Sequence, residues 1–248
     1  MKKYLLFMAA IMMAVCCMTL VSCGDEELEP DGGSSSSGGN GEAPKAVKAV
    51  DLGLPSGTLW ATMNIGASSP EDYGDYFAWG ETEGRTYFSW RSYKWCMGNE
   101  TTLTKYCYYN IYGYYGFEDN KKELDYEDDA AYVNWGPAWR IPSMEQLDEL
   151  INSEYTTTEW TTVNGVNGRK ITSKTNGNAI FLPAAGWRSQ DLLRGGSDGL
   201  YWSRFLRRGD WTNVTDAKCL NVNNGDGIMY KSAARCLGLS IRPVRATE

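Results

Sequence analysis

The sequence contains one strong helical pattern, at residues 143–152, which limits the fold classes open to the chain. Pro142 favours extended backbone before it, Ser143 is a typical N-cap, and Gln146 completes a capping box. Four apolar residues then recur on one helical face: Met144, Leu147, Leu150 and Ile151. The rest of the folded region favours short strands and turns. The sequence therefore predicts an α+β domain with one main helix and a second, shorter helix capped by Asp128.

Alternating apolar residues and turn dipeptides predict β-hairpins on both sides of the main helix. Residues 51–66 are predicted as two strands joined by a Pro-Ser-Gly turn, and 169–173 are predicted to pair with 179–183. Asn164-Gly165 and Asn167-Gly168 are both predicted as hairpin turns. Further strands are predicted at residues 72–81, 201–203, 217–222, 228–230 and 239–244.

Residues 1–22 have the pattern of a signal peptide, with two lysines followed by an apolar run at residues 4–21. The run ends in Leu20-Val21-Ser22-Cys23-Gly24, which resembles the lipobox of bacterial lipoproteins. The resemblance implies lipidation of Cys23, for example by palmitate, and cleavage before it. The alternative is an uncleaved signal anchor. Acidic residues follow Cys23 and resemble the signal that places Bacteroidetes lipoproteins on the outer face of the outer membrane.

Residues 23–45 are acidic and then rich in glycine and serine, with too few apolar side chains to offset the entropy of ordering. We predict a flexible tether there, followed by one folded domain at residues 46–248.

Charge and histidine content exclude several function classes. The chain has 24 Lys and Arg against 31 Asp and Glu, a formal net charge of −7, so phosphate backbones would be repelled and no nucleic-acid partner is expected. It has no histidine, which excludes His-dependent triads and imidazole metal sites. No carboxylate pair is singled out for glycoside hydrolysis. We therefore predict a non-enzymatic protein without a metal ion or cofactor.

Four cysteines remain in the folded region after the signal peptide and Cys23 are set aside: Cys96, Cys107, Cys219 and Cys236. An even number in an exported protein is compatible with two disulfides. Cys96 and Cys107 bracket a short loop, and either a bridge or two free thiols fits the sequence.

Several stretches together resemble the Fibrobacter succinogenes major paralogous domain family, found in Bacteroidetes lipoproteins. They are residues 51–66, 74–81, 177–188, Asn134-Trp135-Gly136, Trp139-Arg140-Ile141-Pro142, Tyr201-Trp202-Ser203 and Ser240-Ile241-Arg242-Pro243-Val244. The resemblance covers about residues 48 to 245 and implies a C-type lectin-like fold whose ligand face is built from loops between the final strands. The sequence motifs of calcium-dependent lectins are absent.

The same resemblance suggests a disulfide between Cys219 and Cys236, because C-type lectin-like domains often tie the corresponding strand and loop together. Free thiols are an alternative. A catalytic cysteine pair, as in the formylglycine-generating enzymes of this fold, is a third reading that the neighbouring residues do not support.

Residues 204–216 lie between two predicted strands and mix aromatic with cationic side chains, which suits stacking on a sugar and pairing with an acidic group. From residue 191 to 248 there are nine Lys and Arg and six Asp and Glu, a reversal of the overall charge. The predicted ligand-binding residues are Arg204, Phe205, Arg207, Arg208, Trp211, Asn213, Lys218, Asn221, Tyr230 and Lys231. Alternatively, the aromatic side chains fold inward and the arginines are simply solvated.

These observations predict a surface-anchored lipoprotein that binds a glycan or protein ligand through its C-terminal loops and is attached to the membrane through Cys23. Polar residues interleaved with Leu220 and Val222 also fit a face diversified by a retroelement, but any amphipathic strand has this pattern. The alternative function is a structural or assembly subunit of a surface appendage.

Overall fold

The computed structural model describes residues 47–207, 214–225 and 227–246. Within these ranges the protein is an α+β structure of small antiparallel sheets and few helices, as the sequence predicts. The helices are α1 (Ala130–Trp135) and α2 (Met144–Ile151), and single 3-10 turns lie at Trp90–Ser92, Asn110–Tyr112, Tyr114–Gly116 and Tyr126–Asp128. The strands are β1 (Ala49–Asp51), β2 (Leu59–Ala61), β3 (Thr156–Val163), β4 (Val166–Ser173), β5 (Ala179–Pro183), β6 (Trp187–Arg188), β7 (Leu192–Leu193), β8 (Asp198–Leu206), β9 (Asp216–Asn223), β10 (Ile228–Ala234) and β11 (Val244–Arg245).

Helix α2 begins as the sequence predicts. The Ser143 hydroxyl accepts a hydrogen bond from the Gln146 backbone N–H at 3.2 Å, and Gln146 Oε1 accepts one from the Ser143 N–H at 2.9 Å. The capping box is therefore complete, and two N–H groups that the helix itself cannot satisfy are paired. Leu147 and Leu150 are buried and fix the inner face of the helix.

The cap of α1 is Asp129, and the prediction that Asp128 serves this role is wrong by one residue. Asp129 Oδ1 accepts hydrogen bonds from the N–H groups of Ala131 and Tyr132 at 2.9 and 3.2 Å. Asp128 ends the preceding 3-10 turn, and its carboxylate instead accepts from Lys105 Nζ at 2.6 Å.

The predicted hairpins are largely confirmed. Strands β1 and β2 pair around the Pro-Ser-Gly turn, and β4 pairs with β5 in the predicted direction, with Ile171 opposite Ile180. Asn164-Gly165 forms the two-residue turn between β3 and β4. Asn167-Gly168 is not a turn, because it lies inside β4. A Cβ on Gly168 would approach the Leu182 carbonyl oxygen to 2.4 Å, so this glycine permits close strand contact.

Two other predicted strands are only partly formed. Residues 72–81 contribute a single bridge, between Phe77 and Leu239, in place of a strand. Residues 239–244 make isolated bridges and then the short β11. These segments run between packed layers, where buried aromatic side chains of residues 76–79 fix the chain without a continuous strand ladder.

The sheet formed by β8, β9 and β10 is buried on both faces along β9. On one face, Trp202 and Cys219 belong to an apolar cluster that also contains Trp79. On the other, Leu220 and Val222 pack in a cluster that includes Leu147 and Leu150 of α2. The sheet thus forms a central layer, with α2 against one side.

The described residues all belong to one compact unit. In these ranges, no helix combines the length and the apolar character that crossing a bilayer requires.

Candidate functional site

Strands β9 and β10, and the residue that follows β8, line a pocket of about 290 Å³, here called the C-terminal pocket. Its lining residues are Arg207, Lys218, Tyr230, Lys231 and Ser232. The strand register explains why these residues meet. Lys218 on β9 lies directly opposite Ser232 on β10, so both side chains share one face with Tyr230. The backbone N–H of Arg207 donates to the Asp216 carbonyl at 3.1 Å and holds the end of β8 beside β9.

The pocket is cationic. Arg207, Lys218 and Lys231 carry three positive charges, and Asp216 Oδ2 lies 3.9 Å from Arg207 Nη1. Ser232 Oγ donates to Asp216 at 3.0 Å and accepts from Arg207 Nη1 at 3.0 Å. Neither lysine forms an ion pair within the described part of the chain. Lys218 lies on the Tyr230 face of the sheet, whereas Lys231 lies opposite Cys219 on the other face of the edge strand. An incoming anion displaces no described ion-pair partner of either lysine.

Tyr230 is tied to α2. Its hydroxyl donates a short hydrogen bond to Asp148 Oδ1. Burial, and then this bond to the carboxylate, raises the pKa of Tyr230 above its ordinary value. The phenol stays neutral at physiological pH, so it offers a rigid ring and an uncharged edge beside the cations.

Four of the ten predicted ligand-binding residues meet in this pocket: Arg207, Lys218, Tyr230 and Lys231. Arg204 and Phe205 lie elsewhere, and the prediction that they belong to a loop is wrong because β8 extends to Leu206. Arg204 Nε pairs with Glu123 at 2.6 Å, and its guanidinium lines a different cavity. Phe205 is half-buried and bridges to Glu123.

Asn221 was predicted to contact ligand, and this prediction is wrong. The residue has no exposed surface, because it lies on β9 between Leu200 of β8 and Met229 of β10, on the buried face that carries Cys219. Both polar atoms of its side chain are buried without a hydrogen-bond partner among the described residues. The polar residues of β9 therefore do not form one exposed face. A face diversified by a retroelement would need them to do so.

Predictions for Arg208, Trp211, Asn213 and the lipidation site Cys23 fall outside the described residues.

Neither predicted disulfide is formed. Cys96, Cys107, Cys219 and Cys236 are buried free thiols. Cys219 and Cys236 pack in separate apolar clusters, which explains why they do not pair. Cys96 and Cys107 share a cluster, but each thiol donates to a backbone carbonyl, of Trp90 and Tyr109, both at 3.1 Å. Burial raises the pKa of Cys219 and of Cys236 to about 12, so neither is a reactive thiolate near neutral pH.

Carboxylates of Asp125, Glu127 and Asp128 lie together, but a lysine already serves as their cation. Lys105 Nζ lies 2.6 Å from both Asp125 Oδ2 and Asp128 Oδ2, and 3.4 Å from Glu127 Oε1. Burial alone would lower the pKa of Lys105, yet its hydrogen bonds to Asp125 and Asp128 raise it above the ordinary value. This cluster is thus a tethered ion-pair network.

Two of the nine C-terminal cations do not contribute to a surface charge. Arg235 and Arg242 are almost fully buried, and Arg242 donates to Asn64 Oδ1 and to the carbonyls of Ala61 and Phe181 at 2.9 to 3.1 Å. The positive excess at the surface is therefore smaller than the sequence count indicates.

Sequence reasoning missed Ser232 and Asp216, which position Arg207. Ser232 lies two residues after Tyr230, and side chains two apart on a strand share a face. This alternation was the sequence signal that could have identified Ser232.

No family model, curated protein or solved structure matches this chain.

Proposed function

We propose that the protein is a surface-anchored binding lipoprotein of C-type lectin-like fold, which recognises an acidic glycan through the C-terminal pocket. One observation carries the proposal: three cationic residues line one cavity in a chain whose net charge is −7. The two lysines are unpaired among the described residues, so an acidic ligand gains their charge without breaking an ion pair.

The chemistry of the lining favours a saccharide that carries carboxylate or sulfate groups. Arg207 provides a planar fork of donors, while Lys218 and Lys231 act as mobile point charges. Tyr230 adds an aromatic edge fixed by Asp148, against which a sugar ring can pack. The described lining contains no carboxylate, the charged ligand that calcium sites usually require, and we expect binding to be independent of calcium.

The test is a glycan and protein array screen of the purified full chain, with and without a calcium chelator. Its matched variants are the double substitution Lys218→Ala/Lys231→Ala and Lys170→Ala, which removes an exposed lysine from β4. Selective, calcium-independent binding to acidic glycans that only the double variant loses supports the proposal. A folded protein that binds no glycan refutes it.

A second candidate function, an assembly subunit, rests on the open edge of β10. This strand is at the edge of its sheet and has no partner strand on its outer side among the described residues, so a strand of another chain could pair there. Lys231 lies in the middle of this edge, and lysine at such a position disfavours strand addition. Self-association that Lys231→Val strengthens, together with no glycan affinity, would favour the assembly function.

A further inference from the structure

We propose a second ligand site, for a small carboxylate, in the cavity beneath the Trp-Arg-Ile-Pro segment. This cavity, here called the arginine cavity, has a volume of about 450 Å³ and shares no lining residue with the C-terminal pocket. Its lining consists of Tyr126, Pro137, Ala138, Arg140, Gln146, Arg204, Val244, Arg245 and Ala246. The described lining contains three arginines and no carboxylate, and the size of the cavity falls within the usual range for small-molecule sites.

Arg140 is held rigidly at the cavity wall. Its Nε pairs with Asp129 Oδ2 at 2.7 Å, and its guanidinium carbon lies 4.0 Å from the centre of the Tyr126 ring. Nη2 makes a longer bond of 3.4 Å to the Leu124 carbonyl. These contacts leave Nη1 without a hydrogen-bond partner among the described residues. A group fixed in advance by its neighbours loses little entropy when it binds a ligand.

Arg204, on β8, is also fixed by hydrogen bonds to its neighbours. Its Nε pairs with Glu123 at 2.6 Å, and Nη1 donates to the Ile141 carbonyl at 3.1 Å and to Gln146 Oε1 at 3.2 Å. Nη2 has no partner in the described ranges. Arg140 and Arg204 both line this cavity, and each keeps a terminal nitrogen without a described partner that can donate to a carboxylate oxygen.

Arg245 completes the cationic lining. Its guanidinium carbon lies 5.5 Å from the centre of the Trp139 ring, within the distance for a cation–π contact. Pro137 and Ala138 are exposed and supply an apolar wall. The cavity thus combines charge-assisted donors with a small apolar surface, which suits a carboxylate attached to a compact organic body.

The charge of the surroundings limits the affinity. Asp129 and Glu123 neutralise the framework side of Arg140 and Arg204, and Glu145 lies close enough to Arg204 to interact with it. The cavity and its surroundings therefore carry a small net charge, so recognition of the carboxylate depends on hydrogen-bond geometry. We expect a dissociation constant on the order of 1 mM for a monomeric ligand.

The experiment is a ligand-observed NMR titration of the full chain with a monomeric uronate and with an N-acetylated amino acid. The neutral hexose of the same ring serves as the control ligand. The proposal predicts saturable binding of at least one carboxylate and none of the neutral sugar. The carboxylate that binds more tightly then shows whether the site prefers a sugar acid or an acylated amino acid. Absence of saturable binding for both carboxylates overturns the proposal.

Ala138 provides a matched pair of variants, because its side chain is exposed at the cavity. Ala138→Glu places a negative charge at the cavity and should bind the carboxylate at least about tenfold more weakly than the neutral Ala138→Gln, which has a side chain of the same size. Equal affinities of the two variants overturn the proposal. Should Ala138→Glu fail to fold, Arg245→Gln offers an independent test and should also weaken binding about tenfold.

This site is independent of the proposed glycan site, and the variants separate the two. The Lys218→Ala/Lys231→Ala protein should bind the small carboxylate with unchanged affinity. Loss of binding in that protein would place the ligand in the C-terminal pocket and overturn the second site, without affecting the proposed function.

Discussion

Asp129 connects the cap of α1 to the wall of the arginine cavity, and its replacement tests both. The side chain is fully buried and accepts hydrogen bonds from the N–H groups of Ala131, Tyr132 and Ile141 as well as from Arg140 Nε. Asp129→Asn keeps the shape and one acceptor oxygen, but its amide N–H₂ group opposes the Arg140 donor. The ion pair and its hydrogen bond are then lost.

The expected cost follows from the burial of the pair. Removing one partner of a buried ion pair destabilises a protein by about 3 to 5 kcal/mol. Because 19% of the Arg140 side chain is exposed, solvent offsets part of this, and we expect about 3 kcal/mol. For a domain of this size, that loss lowers Tm by roughly 6 to 12 °C. Asp129→Ala also removes the helix cap and should cost about 1 kcal/mol more.

The assay is urea unfolding followed by tryptophan fluorescence, supported by calorimetry. Glu159→Gln is the control, since it removes an exposed carboxylate from β3 and should change the free energy of unfolding by less than about 0.5 kcal/mol. If Asp129→Asn and Glu159→Gln have the same stability, Asp129 does not stabilise the fold in the way the contacts indicate.

Three further predictions concern pH, backbone contact and thiols. Burial raises the pKa of Tyr76 to about 12 and that of Tyr201 above its ordinary value, so the folded state favours neutral phenols. This stability is complete below about pH 10, the pKa of an unfolded tyrosine, and declines above it. Unfolding free energies measured across alkaline pH should fall there, and a constant value would contradict the burial. Gly168→Ala should destabilise the domain by about 1 to 3 kcal/mol, because its Cβ meets the Leu182 carbonyl oxygen at 2.4 Å. Chemical denaturation checks this. The control is Gly177→Asn, at an exposed turn glycine of positive φ where a Cβ would meet no other atom. All four cysteines of the folded region should react with a thiol reagent only after unfolding. Rapid reaction of the native protein would show that they are accessible.

Local sequence signals predicted α2 and its hairpins because their causes are local. Ser143 and Gln146 are three residues apart and cap the helix with their own side chains. Asn164-Gly165 is sufficient for a two-residue turn. Asn167-Gly168 has the same composition, yet it pairs with strands on both sides. Packing against distant segments decides whether such a dipeptide forms a turn or part of a strand, and the local sequence does not reveal that packing.

The candidate site was predicted only in part for a similar reason. Alternation on β9 marks Lys218 and Asn221 alike as polar residues beside apolar ones. The sheet is covered on both faces along this strand, so Asn221 is buried while Lys218 reaches the pocket at the end of the strand. Arg140 was recognised within a motif, but its position beside Arg204 depends on contacts between distant segments.

The central claim is that the C-terminal pocket binds an acidic glycan. Its most direct test is calorimetric titration of the full chain with a polyuronate oligosaccharide and with its carboxyl-reduced, neutral counterpart, at low and high salt. We predict binding of the acidic oligosaccharide alone, weakened by salt, unaffected by chelation of calcium, and lost in Lys218→Ala/Lys231→Ala. Equal affinity for the neutral oligosaccharide, or full binding by the double variant, would contradict the claim.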